Sequence, residues 1–240
     1  HKPGQMTGRI YRLTPKGGSG KYSIPKNRTA LSMLASPNMA SRYIAWQQLN
    51  AVGAKAEDTL AKLWQGDDQR LRARALHLLA RINGLGEKYI GAALGDSNAD
   101  IRIAGLRIAR ERGHDVIPLV TQLVGDPSAA VRRECAIALR HNDSPAAPAL
   151  WAKLAQQHDG ADRWYLEALG LALDRQQDKF FGAWLEVVGS NWDTPAGRDI
   201  VWRSRSRMTP DLLVKILLNK KTKEADKPRY IRALDFQSGP

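Results

Sequence analysis

The sequence predicts an all-α fold: a solenoid of about seven stacked helix pairs behind a short extended or strand-like N-terminal arm. Three observations carry this. An arginine recurs at Arg42, Arg72, Arg102, Arg132, Arg163, Arg198 and Arg229, at intervals of 30, 30, 30, 31, 35 and 31 residues. In phase with it, small residues fall three places later (Ala45, Ala75, Gly105, Cys135) and apolar ones seven places later (Leu49, Leu79, Ala109, Leu139). A turn former or acid precedes it by about four to six places, at Ser36, Asp67, Asp96, Asp126 and, more loosely, Asp159. Self-similarity at such a period marks a repeat architecture, because a single helix pair cannot hide its apolar faces alone and must stack on neighbours.

The elements follow in chain order. Gly8 to Pro15 alternates β-branched and aromatic residues and ends in proline, so it reads as a strand. A lone strand needs a sheet from elsewhere or must lie along the first helices as an arm. Lys16 to Lys21 is a flexible basic linker. Its Gly20-Lys21 pair is no P-loop, since Pro15 stands where the first glycine belongs and Tyr22 where magnesium needs a hydroxyl. Short apolar first helices are expected at Thr29–Ala35, Ala56–Trp64, Glu87–Leu94 and Val116–Val124. Second helices carry the arginine and are expected near 39–52, 69–83, 99–112, 129–140, 161–174 and 196–206, with apolar residues at i, i+3, i+4 and i+7. The 35-residue interval implies an inserted loop at Gly189 to Thr194. The expected organisation is thus arm and linker over 1–28, solenoid over 29–236 and a tail at 237–240.

Each column has a mechanical reading. Small residues let the second helix approach its neighbour closely, and a leucine there would overpack by roughly 1–3 kcal/mol. The arginine's planar fork suits the turn carboxylates or carbonyls. Cys135 belongs to the small column and reads as a buried apolar residue, with no local base to make it a nucleophile.

The units Gly66 to Leu76, Gly95 to Leu106 and Gly125 to Ala136 carry an Asp, a Val-Arg-like pair and a small residue in order, and they resemble the HEAT-repeat family. Later units are degenerate, Trp164-Tyr165-Leu166 replacing the small residue. A second resemblance covers about fifty residues: Gly8-Arg9-Ile10-Tyr11-Arg12-Leu13-Thr14-Pro15, then Ala30 to Asn38 and Arg42-Tyr43-Ile44-Ala45-Trp46. It is similar to the junction between a β-propeller and a HEAT segment in large bacterial "membrane-bound dehydrogenase"-like proteins, many of which end in a haem-binding CxxCH domain. That resemblance implies an exported, periplasmic multidomain parent in which the solenoid positions other domains, and a parent that is an oxidoreductase. The propeller and the CxxCH motif are absent from these 240 residues, so the resemblance gives them no redox chemistry.

Charge distribution narrows the partners. The net charge of +13 separates into +9 over residues 1–56, −2 over 57–197 and +6 over 198–240. A protein tracking a phosphate backbone along its length would carry cations on every turn, and the middle lacks that excess. One cysteine excludes an internal disulfide framework. The most apolar window, Leu212 to Leu218, is far shorter than the roughly 20 residues of a membrane span, so no membrane insertion is expected. The five histidines form no HExxH pair, no Gly-x-Ser-x-Gly elbow is present, and no cofactor motif stands out, so this segment reads as non-catalytic.

The remaining candidates are aromatic and arginine residues in the degenerate units. Trp164, Trp192, Trp202, Arg203 and Arg205 are the candidate ligand or partner surface, since such groups stack on bases, sugars or protein side chains. Trp46, Trp64 and Trp184 lie on apolar helix stripes and read as packing. The column five places after the arginine, Gln47, His77, Arg107 and Ile137, faces outward with mixed chemistry that suits protein contact. The expected function is therefore a scaffold or protein-interaction module whose partner is a protein or a neighbouring domain. The alternative is a nucleic-acid binder similar to the HEAT-like alkylpurine DNA glycosylases, favoured by the overall charge and by Arg203, Arg205 and Arg207.

Overall fold

The computed structural model describes residues 29–237, so the expected strand at Gly8 to Pro15, the linker and the last three residues lie outside the described part. Within it the chain forms seven helix pairs. They are α1 (Ala30–Leu34) with α2 (Met39–Val52), α3 (Glu57–Trp64) with α4 (Gln69–Leu79), α5 (Gly86–Leu94) with α6 (Ala99–Glu111), and α7 (Ile117–Leu123) with α8 (Ala129–Ala138). Then follow α9 (Ala147–Ala155) with α10 (Arg163–Ala172), α11 (Gln177–Val188) with α12 (Pro195–Arg203), and α13 (Thr209–Leu218) with α14 (Lys227–Leu234). Second helices stack in order, α8 lying between α6 and α10, while α9 packs against α11 on the other side. No strand occurs among the described residues, and the architecture is an all-α solenoid.

Local chemistry sets where the second helices begin. Asn38, Asp68, Asn98, Asp162 and Thr194 each cap one through a side-chain oxygen that accepts backbone N–H groups of the first turn. Ser128 occupies the same place before α8 without a side-chain bond. Counting from these caps corrects the arginine column. The fourth residue after the cap is Arg42, Arg72, Arg102, Arg132, Leu166, Arg198 and, after Asp226, Tyr230. Arg163 and Arg229 therefore do not belong to it; the period of 31 found them only because arginine is abundant near both places.

The arginines in true register clamp the stack. Arg102 donates from Nε and Nη2 to both carboxylate oxygens of Asp126 in the next unit at 2.7 and 2.8 Å, and from Nη1 to the carbonyls of Asp96 and Ser97 in its own turn at 2.7 and 3.1 Å. Arg72 pairs in the same way with Asp96 and donates to the Trp64 carbonyl at 2.9 Å. Arg42 and Arg132 hold their own turn carbonyls, at Ser36 and Pro37 and at Asp126 and Pro127. Arg198 reaches Asp193 and, in the next unit, Thr222. The turn aspartates also accept from the backbone two residues on, Asp96 from Asn98 and Asp126 from Ser128, so each fixes its turn and receives the preceding unit's guanidinium.

The small column is buried, and its purpose differs in one respect from the expectation. A Cβ on Gly105 would lie 2.9 Å from the Cβ of Ala93, so the close approach is between α6 and α5 of the same unit rather than between units. Continued from the caps, the column reads Ala45, Ala75, Gly105, Cys135, Leu169, Val201 and Ala233, all buried. Units five and six exchange the small residue for Leu169 and Val201, and unit seven returns to alanine. Units five and six hold the largest buried side chains, Trp151, Trp184, Phe180 and Phe181. Trp151 donates its indole N–H to the Leu169 carbonyl at 3.1 Å and meets Phe180 edge to face at 6.1 Å.

α2 matches its expected bounds, whereas the later second helices end one to four residues early. α12 stops at Arg203 because Ser204 turns extended, and its hydroxyl is tied to the Ser206 N–H and the Thr209 hydroxyl. The expected inserted loop is a short 3₁₀ turn, Gly189–Trp192. Among the described residues no helix is long and apolar enough to cross a membrane.

Candidate functional site

The degenerate units place the five candidate residues at three places: an exposed helix start, a 3₁₀ turn and the C-terminal end of α12. Trp164 sits in the first turn of α10, 71% exposed, beside the equally open Arg163. Trp192, in the 3₁₀ turn, packs partly buried against the core. Its carbonyl is so close to Gly197 that a Cβ there would come within 2.0 Å of the oxygen, so only glycine lets α12 begin at that point. Trp202, Arg203 and Arg205 gather at the C-terminal end of α12.

Those two arginines are already engaged. Arg203 lies flat over Gly170, where any Cβ would meet the guanidinium at 2.4 Å, and donates to Glu167 at 3.0 Å. Arg205 donates to the carbonyls of Trp202 and Ser204 at 3.1 and 2.6 Å and stands 5.4 Å from the Phe236 ring centroid. Burial and the neighbouring Arg203 lower the Arg205 pKa. Both act as braces between units, which leaves Trp164 as the openly available member of the set.

At the centre of the same region lies a network that the repeat period gave no reason to expect. Asp199 on α12, with a side chain 16% exposed, faces His158 Nε2 at 3.3 Å and Arg229 Nη2 at 2.7 Å. His158 is buried and stacks on Tyr165, whose hydroxyl donates to the Leu154 carbonyl. Arg229 in turn stands 4.3 Å above the Trp202 ring. Burial pushes the Asp199 carboxyl up, but His158 and Arg229 outweigh it and hold the group below the ordinary aspartate value. His158, Asp199 and Arg229 come from units five, six and seven, so the network ties three units together. Their separations in sequence carry no signal; only the stacking brings them into contact.

An open groove of about 690 Å³ runs beside this network. Asp159, Asp193, Asp199 and Asp226 line it together with Arg198, Lys221, Lys223 and Arg229. Opposed charges in equal number give no concentrated positive field, which is what phosphate capture requires. Among the described residues no group of three or more His, Cys, Asp or Glu side chains could hold a metal ion. Cys135 is wholly buried, and burial pushes its thiol up to about 12.

Residues 87–170 match the family model of HEAT repeats. This stretch is a HEAT-repeat segment. It spans α5 to α10 and includes the Arg102–Asp126 clamp, and the HEAT-like pairing continues in the helix pairs on either side. No curated protein matches the chain. HEAT segments of this kind serve as repeat scaffolds or interaction modules, which puts the outward-facing surfaces at the centre of the functional question.

Proposed function

We propose that this chain is a non-catalytic HEAT-repeat scaffold that holds a partner protein or a neighbouring domain within a larger multidomain protein. The observation that carries the reading is the fate of the basic side chains. Arg42, Arg72, Arg102, Arg132 and Arg198 are consumed in clamping turns, and Arg203, Arg205 and Arg229 in bracing the last units. What the second helices leave outward, Gln47, His77 and Arg107 with the half-exposed Ile137, has the mixed chemistry of a protein-contact face. Trp164 adds an exposed aromatic anchor of the kind that dominates protein interfaces. The similarity of residues 8–46 to a propeller-to-HEAT junction supports a dehydrogenase-like parent that is exported to the periplasm.

A nucleic-acid reading has one specific observation in its favour, the half-buried Trp202 beneath Arg229 beside the Asp199 carboxylate. Anisotropy of a labelled random-sequence duplex over a salt series separates the two. The scaffold reading expects no saturable binding at about 50 mM salt, where phosphate contacts are strongest. Saturable binding there, with a steep loss on adding salt, would overturn it in favour of a nucleic-acid binder.

A further inference from the structure

The first two units carry a feature that the C-terminal network does not use and that shares only Arg42 with the clamps. Met39 and Tyr43, one turn apart on α2, are 75% and 60% exposed although both are large and apolar. They flank a groove of about 270 Å³ whose floor is Leu34 and whose wall is the half-buried Trp46. The volume is below the roughly 300–1,000 Å³ of small-molecule sites and suits one or two inserted side chains instead. The remaining lining groups are the cations Arg42 and Arg74 and the imidazole of His77, whose pKa burial lowers, and no carboxylate lines it. Arg74 is pinned in place by donating to the Leu34 carbonyl at 2.8 Å, and Arg81 stands over the Trp46 ring at 5.1 Å, adding a further fixed cation behind the wall.

Apolar depth inside a basic rim defines the chemistry of what it takes. We infer that this groove docks an acidic amphipathic helix of a partner protein, with one or two large apolar anchors between Met39, Tyr43 and Trp46, carboxylates against Arg74 and a hydrogen bond from His77. Helix-in-groove recognition works in this way, anchors at i, i+3, i+4 and i+7 giving affinity and rim charges giving orientation. Charge argues against the chain's own N-terminal residues as the occupant, since residues 1–28 hold seven Lys and Arg and no Asp or Glu. The inference rests on the scaffold reading and names where and by what chemistry that scaffold holds its partner.

The test uses the intact chain and two labelled synthetic peptides of 18 residues, both with Leu and Phe at i, i+3, i+4 and i+7, one filled out with Glu and the other with Lys. The Glu peptide should bind saturably and at least tenfold more tightly than the Lys peptide. Tyr43→Ala should weaken it about tenfold, and His77→Glu should shrink the preference for Glu over Lys. Both positions are exposed, so circular dichroism should show an unchanged fold. Equal binding of the two peptides, no binding, or indifference to Tyr43→Ala overturns the assignment. So does sedimentation showing a dimer that the Glu peptide dissociates, which would make a second copy the occupant. Tighter peptide binding by Tyr11→Ser would overturn it too, by making the chain's own arm the occupant. Failure here with no duplex binding leaves the scaffold reading standing, whereas duplex binding removes that reading itself.

Discussion

Removing the Arg102 side chain tests the clamp most directly. In the native fold Arg102 makes four hydrogen bonds, two to Asp126 and two to turn carbonyls, with side chains only 11% and 5% exposed at the two ends of the ion pair. Arg102→Ala leaves the Asp126 carboxylate buried with the Ser128 N–H as its remaining neighbour in the turn. Deleting one partner of a buried pair costs about 3–5 kcal/mol. The low end, about 3 kcal/mol, applies because that N–H persists and water can enter the space left by the guanidinium. At roughly 2–4 °C per kcal/mol for a domain of this size, the midpoint of thermal unfolding should fall by about 6–12 °C. Differential scanning calorimetry would measure it, and a double-mutant cycle with Asp126→Asn should return a coupling of at least about 1 kcal/mol. The pH dependence supplies a second check. Burial raises the Asp126 pKa, but the Arg102 fork, the Ser128 N–H and the nearby Arg132 lower it more, so the folded value lies below the unfolded one. Such a group stabilises the fold above about pH 4 and loses that contribution as pH falls through the lowered value. The gap between wild type and Arg102→Ala should therefore be full at neutral pH and close in acid. A midpoint shift under about 2 °C, or a gap that widens in acid, would refute the clamp.

Further predictions follow from other parts of the stack. Arg163→Ala should change stability by less than about 0.5 kcal/mol because the side chain is 83% exposed, whereas Arg198→Ala, with a side chain 15% exposed and bonded to Asp193 and Thr222, should cost about 2 kcal/mol. Equal losses in urea melts would restore the simple 31-residue spacing against the cap-based register. Gly197→Ala should destabilise by about 2 kcal/mol or more, read in the same melts, because the new methyl runs into the Trp192 carbonyl; a neutral result would mean that the 3₁₀ turn moves freely. Cys135 should resist a thiol reagent at pH 8 in the native protein and react at once in denaturant, since both burial and its raised pKa suppress the thiolate. Rapid native labelling would show that α8 opens locally.

The period and the columns in the sequence determined the helix pairs, their number and the identity of the clamp in the regular units. Helical spacing and turn chemistry are local, and thirty-residue repetition forces equivalent residues into equivalent places. The turn aspartates 24 residues beyond Arg72 and Arg102 were legible for the same reason. Register in the degenerate units was not. There the fourth residue from the helix start is Leu166 or Tyr230, and an abundant residue type nearby mimicked the column, so only the cap at Asp162 and the start of α14 after Asp226 reveal the shift. The candidate surface divided in the same way. Aromatic and arginine content singled out Trp164, Trp192, Trp202, Arg203 and Arg205, but composition cannot tell an exposed cation from one lying over Gly170 or bonded to a neighbouring carbonyl. Tertiary structure alone decided that Trp164 is open, that His158, Asp199 and Arg229 meet across three units, and that Met39 and Tyr43 remain uncovered among described residues. Each depends on how one helix pair is rotated against the next. That rotation is fixed by the packing of side chains far apart in the chain, information that a repeat period does not contain.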